Sequence, residues 1–313
     1  MSQNNDEIKV GAFQYHIPVM LKECLEGLHI RPDGVYVDVT FGGGGHSRAI
    51  LERLGPDGRL YAFDQDDDAK ANSIDDARFC LIDENFMHLR NFLRLHGVRR
   101  IDGLIADLGI SSHQIDDASR GFSTRQDGPL DLRMDRRGDR TAADIVGMAS
   151  CDELEKILRL YGELPNARQM AQAIVAARNE KAIATTMDLR HAVERLLPRN
   201  RENKVLAMLF QALRIEVNGE LDALRLMLEQ ATMMLATGGR LCVMSYHSLE
   251  DRLVKNYFRT GNFEGEIDKD FYGVVHAPLR PVNRKPLTAS EEELSTNSRA
   301  RSAKLRVAEK IEN

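Results

Sequence analysis

The feature that most constrains this chain is a run of four glycines set between a strand and a helix. Val35-Tyr36-Val37-Asp38-Val39 reads as a buried strand; Thr40-Phe41 follows, and Gly42 to Gly45 lead through His46-Ser47 into a helical stretch. Glycine at such a junction permits positive φ and lets a ligand approach the backbone closely. The helix start also presents free N–H groups. A flexible turn would use the same residues, so the loop has to be weighed with its surroundings.

Those surroundings alternate. Arg59 to Phe63 is a second strand, opened by the turn Gly55-Pro56-Asp57-Gly58; Phe79 to Ile82 is a third; Ile101 to Ala106 is a fourth, ending at Asp107. Near-continuous apolar strands separated by helical spacers predict βαβ units and a parallel sheet covered on both faces, an α/β fold. The rhythm breaks after Gln114. Residues 116–140 are dense in Arg, Asp and Gly and read as a long loop. Ser150 and Glu153 have capping-box spacing, and Leu154, Ile157, Leu158 and Tyr161 behind them share one helical face. Further helices are expected over 166–178 and from Thr186 to Pro198, with no strand candidate between Ile115 and Phe210.

The α/β pattern then returns. Leu221, Leu224, Leu228, Ala231 and Leu235 form a helical stripe, which Thr237-Gly238-Gly239 should end. Arg240 to Ser245 is a fifth strand, Ser248 to Phe258 a helix, and Leu305 to Ala308 a final, edge strand. Between them residues 261–297 carry Pro278, Pro281 and Pro286 and predict a long surface loop. The 313 residues thus divide into 1–114 and 216–313, two parts of one α/β domain, with an inserted all-helical domain over 115–215.

Composition removes several classes. No apolar run approaches the ~18–20 residues that span a bilayer, and Met1 to Val10 is polar and acidic, unlike a signal peptide. Cys24, Cys80, Cys151 and Cys242 lie far apart, which predicts reduced thiols in a cytoplasmic protein, with no cysteine-ligated zinc and no metal site. The net charge is −5, so contact with nucleic acid has to come from local basic patches.

The loop has an acidic partner. Asp64 follows the second strand, 22 positions after Gly42. An acid about 20 residues on, at that place, accepts hydrogen bonds from ribose hydroxyls in nucleotide-binding α/β folds. That spacing fits both a dinucleotide and S-adenosylmethionine. A dinucleotide loop wants Gly-x-Gly-x-x-Gly, however, and its third glycine falls on Ser47 or Arg48 here, which favours the methyl donor over NAD. Asp64 could still cap the next turn, His46 could simply start a helix, and Phe86, after the third strand, could be core. Asp107 to Gln114 stands at the carboxyl end of strand four, where open α/β sheets bind ligands.

Seven motifs in order resemble one family. They are Thr40-Phe41-Gly42-x-Gly44-Gly45-His46-Ser47; Asp107-Leu108-Gly109-x-Ser111-Ser112-x-Gln114; Arg120-Gly121-Phe122-Ser123; Asp127-Gly128-Pro129-Leu130-Asp131-x-Arg133-Met134-Asp135; Phe210 to Leu221; Ser245-Tyr246-His247-Ser248-Leu249-Glu250-Asp251-Arg252; and Arg299-Ala300-Arg301-Ser302. From His16 to Glu309 the chain resembles the ribosomal small subunit methyltransferase H family. The resemblance implies a class I methyltransferase fold, Rossmann-like, with a mostly parallel seven-stranded sheet and a helical insert after strand four. It implies S-adenosylmethionine as cofactor, held by Gly44, Gly45, His46, Asp64, Phe86, Asp107 and Gln114. It further implies methylation of N4 of a decoding-centre cytidine in 16S rRNA of the small ribosomal subunit. Three departures stand out. His113 replaces a common proline, Asp66-Asp67-Asp68 replaces a single acid and proline, and Gly43 replaces a basic residue.

On that reading the exocyclic amine attacks the donor methyl in line, with no covalent enzyme intermediate. An acceptor for its N–H groups would favour the attacking form and take up the proton, and Asp107 is the candidate catalytic residue. The target base must be unstacked, and Ser111, Ser112, Tyr246 and His247 could line its pocket, or merely cap turns. Backbone contacts would come from three basic clusters. These are Arg133, Arg136, Arg137 and Arg140; Arg195, Arg199, Arg201 and Lys204; and Arg280, Arg284, Lys285, Arg299, Arg301, Lys304 and Arg306. An NAD-linked oxidoreductase and a non-catalytic ribosome-assembly factor stay open as alternatives, as does a homodimer.

Overall fold

The computed structural model describes residues 18–269 and 277–312, without the side chains of Ser112 and Ser298. The polar N-terminal stretch and His16 lie outside the described residues.

Helix α1 (Leu21–Leu28) precedes strand β1 (Val35–Asp38), which leads through the glycine run into α2 (Gly45–Leu51). Strands β2 (Arg59–Phe63) and β3 (Phe79–Ile82), helix α3 (Leu89–Leu95), strand β4 (Ile101–Asp107) and the short α4 (Ser112–Asp116) follow. Five helices come next: α5 (Ala142–Met148), α6 (Cys151–Leu160), α7 (Ala167–Glu180), α8 (Thr186–Val193) and α9 (Glu202–Asn218). The chain closes with α10 (Glu220–Met234), β5 (Leu235–Ser245), α11 (Ser248–Thr260), β6 (Leu279–Pro281), α12 (Glu291–Thr296) and β7 (Lys304–Lys310).

The seven strands form one sheet in the order β3-β2-β1-β4-β5-β7-β6. The first five are parallel, and β7 runs antiparallel to both β5 and β6. This is the mostly parallel, seven-stranded Rossmann-like sheet of class I methyltransferases that the resemblance implied. It is buried on both faces, as its apolar strands require. On one side Val37, Leu104 and Val243 pack with Leu224 and Leu228 of α10 and Leu253 of α11. On the other, Tyr36, Leu60, Ile105 and Met244 pack with Cys24 and Leu28 of α1 and Ile50 of α2.

A third apolar cluster lies within the stretch after β4. Leu154, Leu158, Met170, Ile174, Leu189, Leu209 and Leu213 all belong to it. Its helices start as their sequences direct. Thr141 with Asp144, Ser150 with Glu153, and Thr185 with Asp188 each form a complete capping box. Helix α9 runs on past residue 215 to Asn218, so the chain returns to the sheet through a continuous helix.

Two expectations near the C-terminus need correction. The strand of residues 305–308 is not at the edge: β7 lies between β5 and β6. The outer position goes to Leu279–Pro281, which lies in the stretch expected to be loop, as does α12. An edge strand tolerates proline because one side of it makes no ladder bonds. The other correction concerns Gly238-Gly239. Helix α10 already stops at Met234, and strand β5 begins at Leu235, passing through both glycines with a register shift against Ile101 and Gly103. Glycines there mark an irregular strand, not a helix cap.

Candidate active site

Because β1 to β5 are parallel, their carboxyl ends share one rim, where open α/β sheets place ligands. Strand β1 delivers Asp38, β2 is followed by Asp64, β3 leads to Phe86, β4 ends in Asp107, and β5 is followed by Tyr246.

Asp38 organises the glycine loop. Its Oδ1 accepts the Thr40 N–H at 3.1 Å, and its Oδ2 accepts the Ser47 hydroxyl at 2.7 Å. Thr40 Oγ1 in turn accepts the Asp107 N–H at 2.7 Å, tying the loop to β4. Gly44 caps α2 at φ +75°, a region that disfavours side chains. A Cβ on Gly45 would come within 2.3 Å of Pro18 Cγ. A Cβ on Gly42 or Gly43 would meet nothing within 4 Å among the described residues.

Asp64 is partly buried. Its two oxygens accept the N–H groups of Gly42 at 2.7 Å and of Asp66 at 2.9 Å. A carboxylate has about four lone-pair sites, so capacity remains for ribose hydroxyls. Burial pushes this carboxyl up to about 6, against the lowering effect of the two N–H bonds. His46 is buried, with Nε2 3.1 Å from the Val19 carbonyl. Phe86 packs, partly buried, against the sheet's larger apolar cluster.

Asp107 is also pushed up to about 6, first by burial and also by the nearby charges of Asp38 and Glu250. The Tyr246 hydroxyl donates to Asp107 Oδ1 at 2.7 Å and acts in the opposite direction. Burial and Asp107 hold the phenol far above its usual range, so it stays a donor. Asp107 Oδ2 has no hydrogen-bond partner among the described residues. Ser111 caps α4 and accepts the Gln114 N–H at 3.2 Å, while the Ser112 side chain lies outside the described residues. Gln114 is buried with its amide engaged at both ends: Oε1 takes the Ser111 N–H, and Nε2 donates to Asp66 at 2.6 Å. His247 caps α11, its Nδ1 accepting the Glu250 N–H at 3.5 Å.

Sequence reasoning missed the network that supports this rim. Arg120 is fully buried and donates to Asp66, to Asp68, and to the carbonyls of Arg133 and Met134. It therefore fastens the loop after β4 to the end of β2. Asn218 holds the same loop from α9, accepting the Met134 N–H and donating to the Leu132 carbonyl. Beneath Tyr246, Glu250 accepts the Tyr246 N–H at 3.0 Å. Burial pushes Glu250 up, but His247, Arg214 and that N–H outweigh it and hold the carboxylate below its usual range. Glu220, His247 and Glu250 bring three ligand atoms within 4.8 Å of one another. Arg214, however, grips Glu220 with bonds of 2.7 and 2.9 Å, so a guanidinium already neutralises that donor. Arg120 and Asp66 share no motif, nor do Asn218 and Met134, whereas Tyr246 and Glu250 share one, as do Arg214 and Glu220.

A sequence model of the MraW methylase family matches residues 13–311. This chain belongs to the MraW methylase family. Relatives include proteins named ribosomal RNA small subunit methyltransferase H. That of Bacteroides thetaiotaomicron is 54% identical over 95% of this chain and 97% of its own length. That of Parabacteroides distasonis is 54% identical over 95% and 98%, and that of Flavobacterium johnsoniae 52% over 95% and 98%.

S-adenosylmethionine is the methyl donor for a methylase of this kind, and the residues present fit it. Asp38, Asp64 and Asp107 stand along one rim, each carboxyl raised by burial. Among the described residues no Arg or Lys pairs with any of the three. An acidic rim without its own cation suits a ligand carrying sulfonium and ammonium charges, and does not suit a pyrophosphate. Asp64→Asn is accordingly expected to weaken donor binding about 10–100-fold, the value of a hydrogen bond to a charged group. Calorimetry with S-adenosylmethionine checks this, and an unchanged affinity would remove Asp64 from the donor site.

Proposed function

We propose that this chain transfers a methyl group from S-adenosylmethionine to the exocyclic N4 of a decoding-centre cytidine in 16S rRNA, acting on the small ribosomal subunit in the cytoplasm. The names of relatives sharing about half of its residues over nearly their whole length support rRNA as the substrate. The observation that carries the chemistry is Asp107, with Oδ1 held by Tyr246 and Oδ2 free to accept.

The bound donor supplies an electrophilic methyl carbon. Cytosine's exocyclic amine is a weak nucleophile, because its lone pair is delocalised into the ring. Oδ2 of Asp107 accepts one amine N–H, which favours the pyramidal form of the nitrogen, and then takes up the released proton. A carboxyl poised near 6 suits that duty better than one near 4. Tyr246 fixes the orientation of the carboxylate, and Glu250 fixes the Tyr246 backbone. Methylation at carbon 5 would need a thiolate, and burial instead holds the thiols of Cys24, Cys80 and Cys242 in their neutral form. Ser111 and His247, which cap α4 and α11 beside Asp107 and Tyr246, border the base pocket in this reading, and the helical residues 115–215 recognise the RNA around it.

The test is mass mapping of 16S rRNA from cells with and without the gene, paired with labelled donor and purified subunits. One N4-methylcytidine lost with the gene and restored by the protein is the expected result. Subunits that bind the protein yet stay unlabelled would instead identify a non-catalytic assembly factor.

A further inference from the structure

The structure separates the three basic clusters by what each already holds. Arg133 is bonded to Asp131, Arg136 to Asp117, Arg137 to Asp135 and Asp83, and Arg140 lies 4.0 Å from Glu216. In the C-terminal group Arg280 pairs with Glu309, Arg299 with Asp116, and Lys304 and Arg306 share Asp251, which leaves Arg284, Lys285 and Arg301 exposed and unpaired among the described residues. The remaining cluster differs. Arg195, Arg199, Arg201 and Lys204 are all exposed, and none has an ion pair or side-chain hydrogen bond among the described residues. The neighbouring Glu202 lies 3.8 Å from Arg190.

The placement of these charges is unfavourable for folding. Arg201 is the residue before α9, and Lys204 lies in its first turn. That end of a helix carries a partial positive charge, so a cation there is unfavourable. No side chain caps α9, whereas α5, α6 and α8 each begin with an acid bonded to the cap. Glu202 is the acid in the first turn of α9 and lies towards Arg190, so among the described residues the four cations keep no ion-pair partner, and a polyanion would supply one. The other end of α9 meets the loop that Arg120 ties to the acidic rim. A helix of 17 residues spans about 25 Å, so this surface lies well away from the target base.

We propose that the connection from Arg195 to Lys204 is a phosphate-contact surface for RNA flanking the target nucleotide. This deepens the rRNA reading and rests on it. A surface of this kind neutralises backbone charge and adds no base specificity.

The test compares wild type with a variant carrying R195Q, R199Q, R201Q and K204Q, and with a control carrying R284Q, K285Q and R301Q. Methylation of small subunits is measured between 50 and 200 mM salt. Loss of four phosphate contacts should raise the KM for subunits about 10-fold or more, leave kcat unchanged, and flatten the salt slope by about 3. Donor affinity should stay at the wild-type value, Tm should hold or rise slightly as cations leave the start of α9, and the control should not share the salt effect. Equal KM and equal slope in variant and wild type overturn the surface and leave the rRNA reading intact. Failure of the wild type to methylate subunits overturns both. A variant weakened on intact subunits but not on protein-free 16S rRNA assigns the patch to a ribosomal protein and overturns the RNA contact.

Discussion

Asp107→Asn is expected to lower kcat by about 10²–10⁴-fold, the usual contribution of a positioned general base, with little change in RNA affinity. Asparagine keeps the size of the side chain and can still accept from Tyr246, so the lost step is proton uptake. The pH profile adds a second reading. Burial raises the Asp107 carboxyl to about 6, so the accepting form predominates above that pH and disappears below it. The acid limb of kcat/KM should therefore fall near pH 6, where Asp64 also titrates. A cationic donor favours the ionised form, so the limb of kcat should lie at lower pH than that of kcat/KM. Tyr246→Phe removes a hydrogen bond that lowers the carboxyl and should move the kcat limb upward. A kcat/KM profile flat from pH 5 to 8 in wild type, or full turnover in Asp107→Asn, would end the assignment. Stability should show the opposite sign. The folded state binds protons at Asp64 and Asp107 that the unfolded chain, titrating near 4, does not bind. The contribution of these two groups to the donor-free protein's stability should thus rise as pH falls from 7 towards 5.

Arg120→Met should cost about 3–5 kcal/mol of folding stability, because it strands a buried carboxylate. Arg120 is 2% exposed, and it donates to both oxygens of Asp66 at 3.1 and 2.8 Å. The variant also leaves the Arg133 and Met134 carbonyls without their guanidinium donor. Lysine should not rescue it, since one ammonium cannot serve two carboxylates and two carbonyls from the guanidinium's positions. Donor binding should weaken in parallel, because Asp66 gives its N–H to Asp64. Chemical denaturation of the variants checks this, and a loss below about 1 kcal/mol would show that the network is not what holds the loop.

Much of this protein was legible in one dimension. Strands β1 to β4 are apolar runs because both faces of a parallel sheet are buried, and a period of that kind is local. The capping boxes at Thr141, Ser150 and Thr185 are local too, since the cap and the residue it bonds lie three positions apart. The glycine run, with an acid 22 residues later, predicted an adenosine-type ligand for the same reason. The misread elements depend on distant partners. Leu279–Pro281 is a strand only because β7 offers it an edge, and Leu235 starts a strand only because β4 lies alongside.

The same division runs through the site. Residue types and spacing determined which acids stand at the strand ends. Only the folded chain decided that Tyr246 holds Asp107 across 139 positions, that Arg120 closes on Asp66 across 54, and that one basic cluster of three has every member unpaired among the described residues. Hydrogen bonds and ion pairs act over a few ångströms of space, and their energy does not depend on how much chain separates the partners. No pattern along the sequence therefore encodes them until the sheet and the helices bring their residues together.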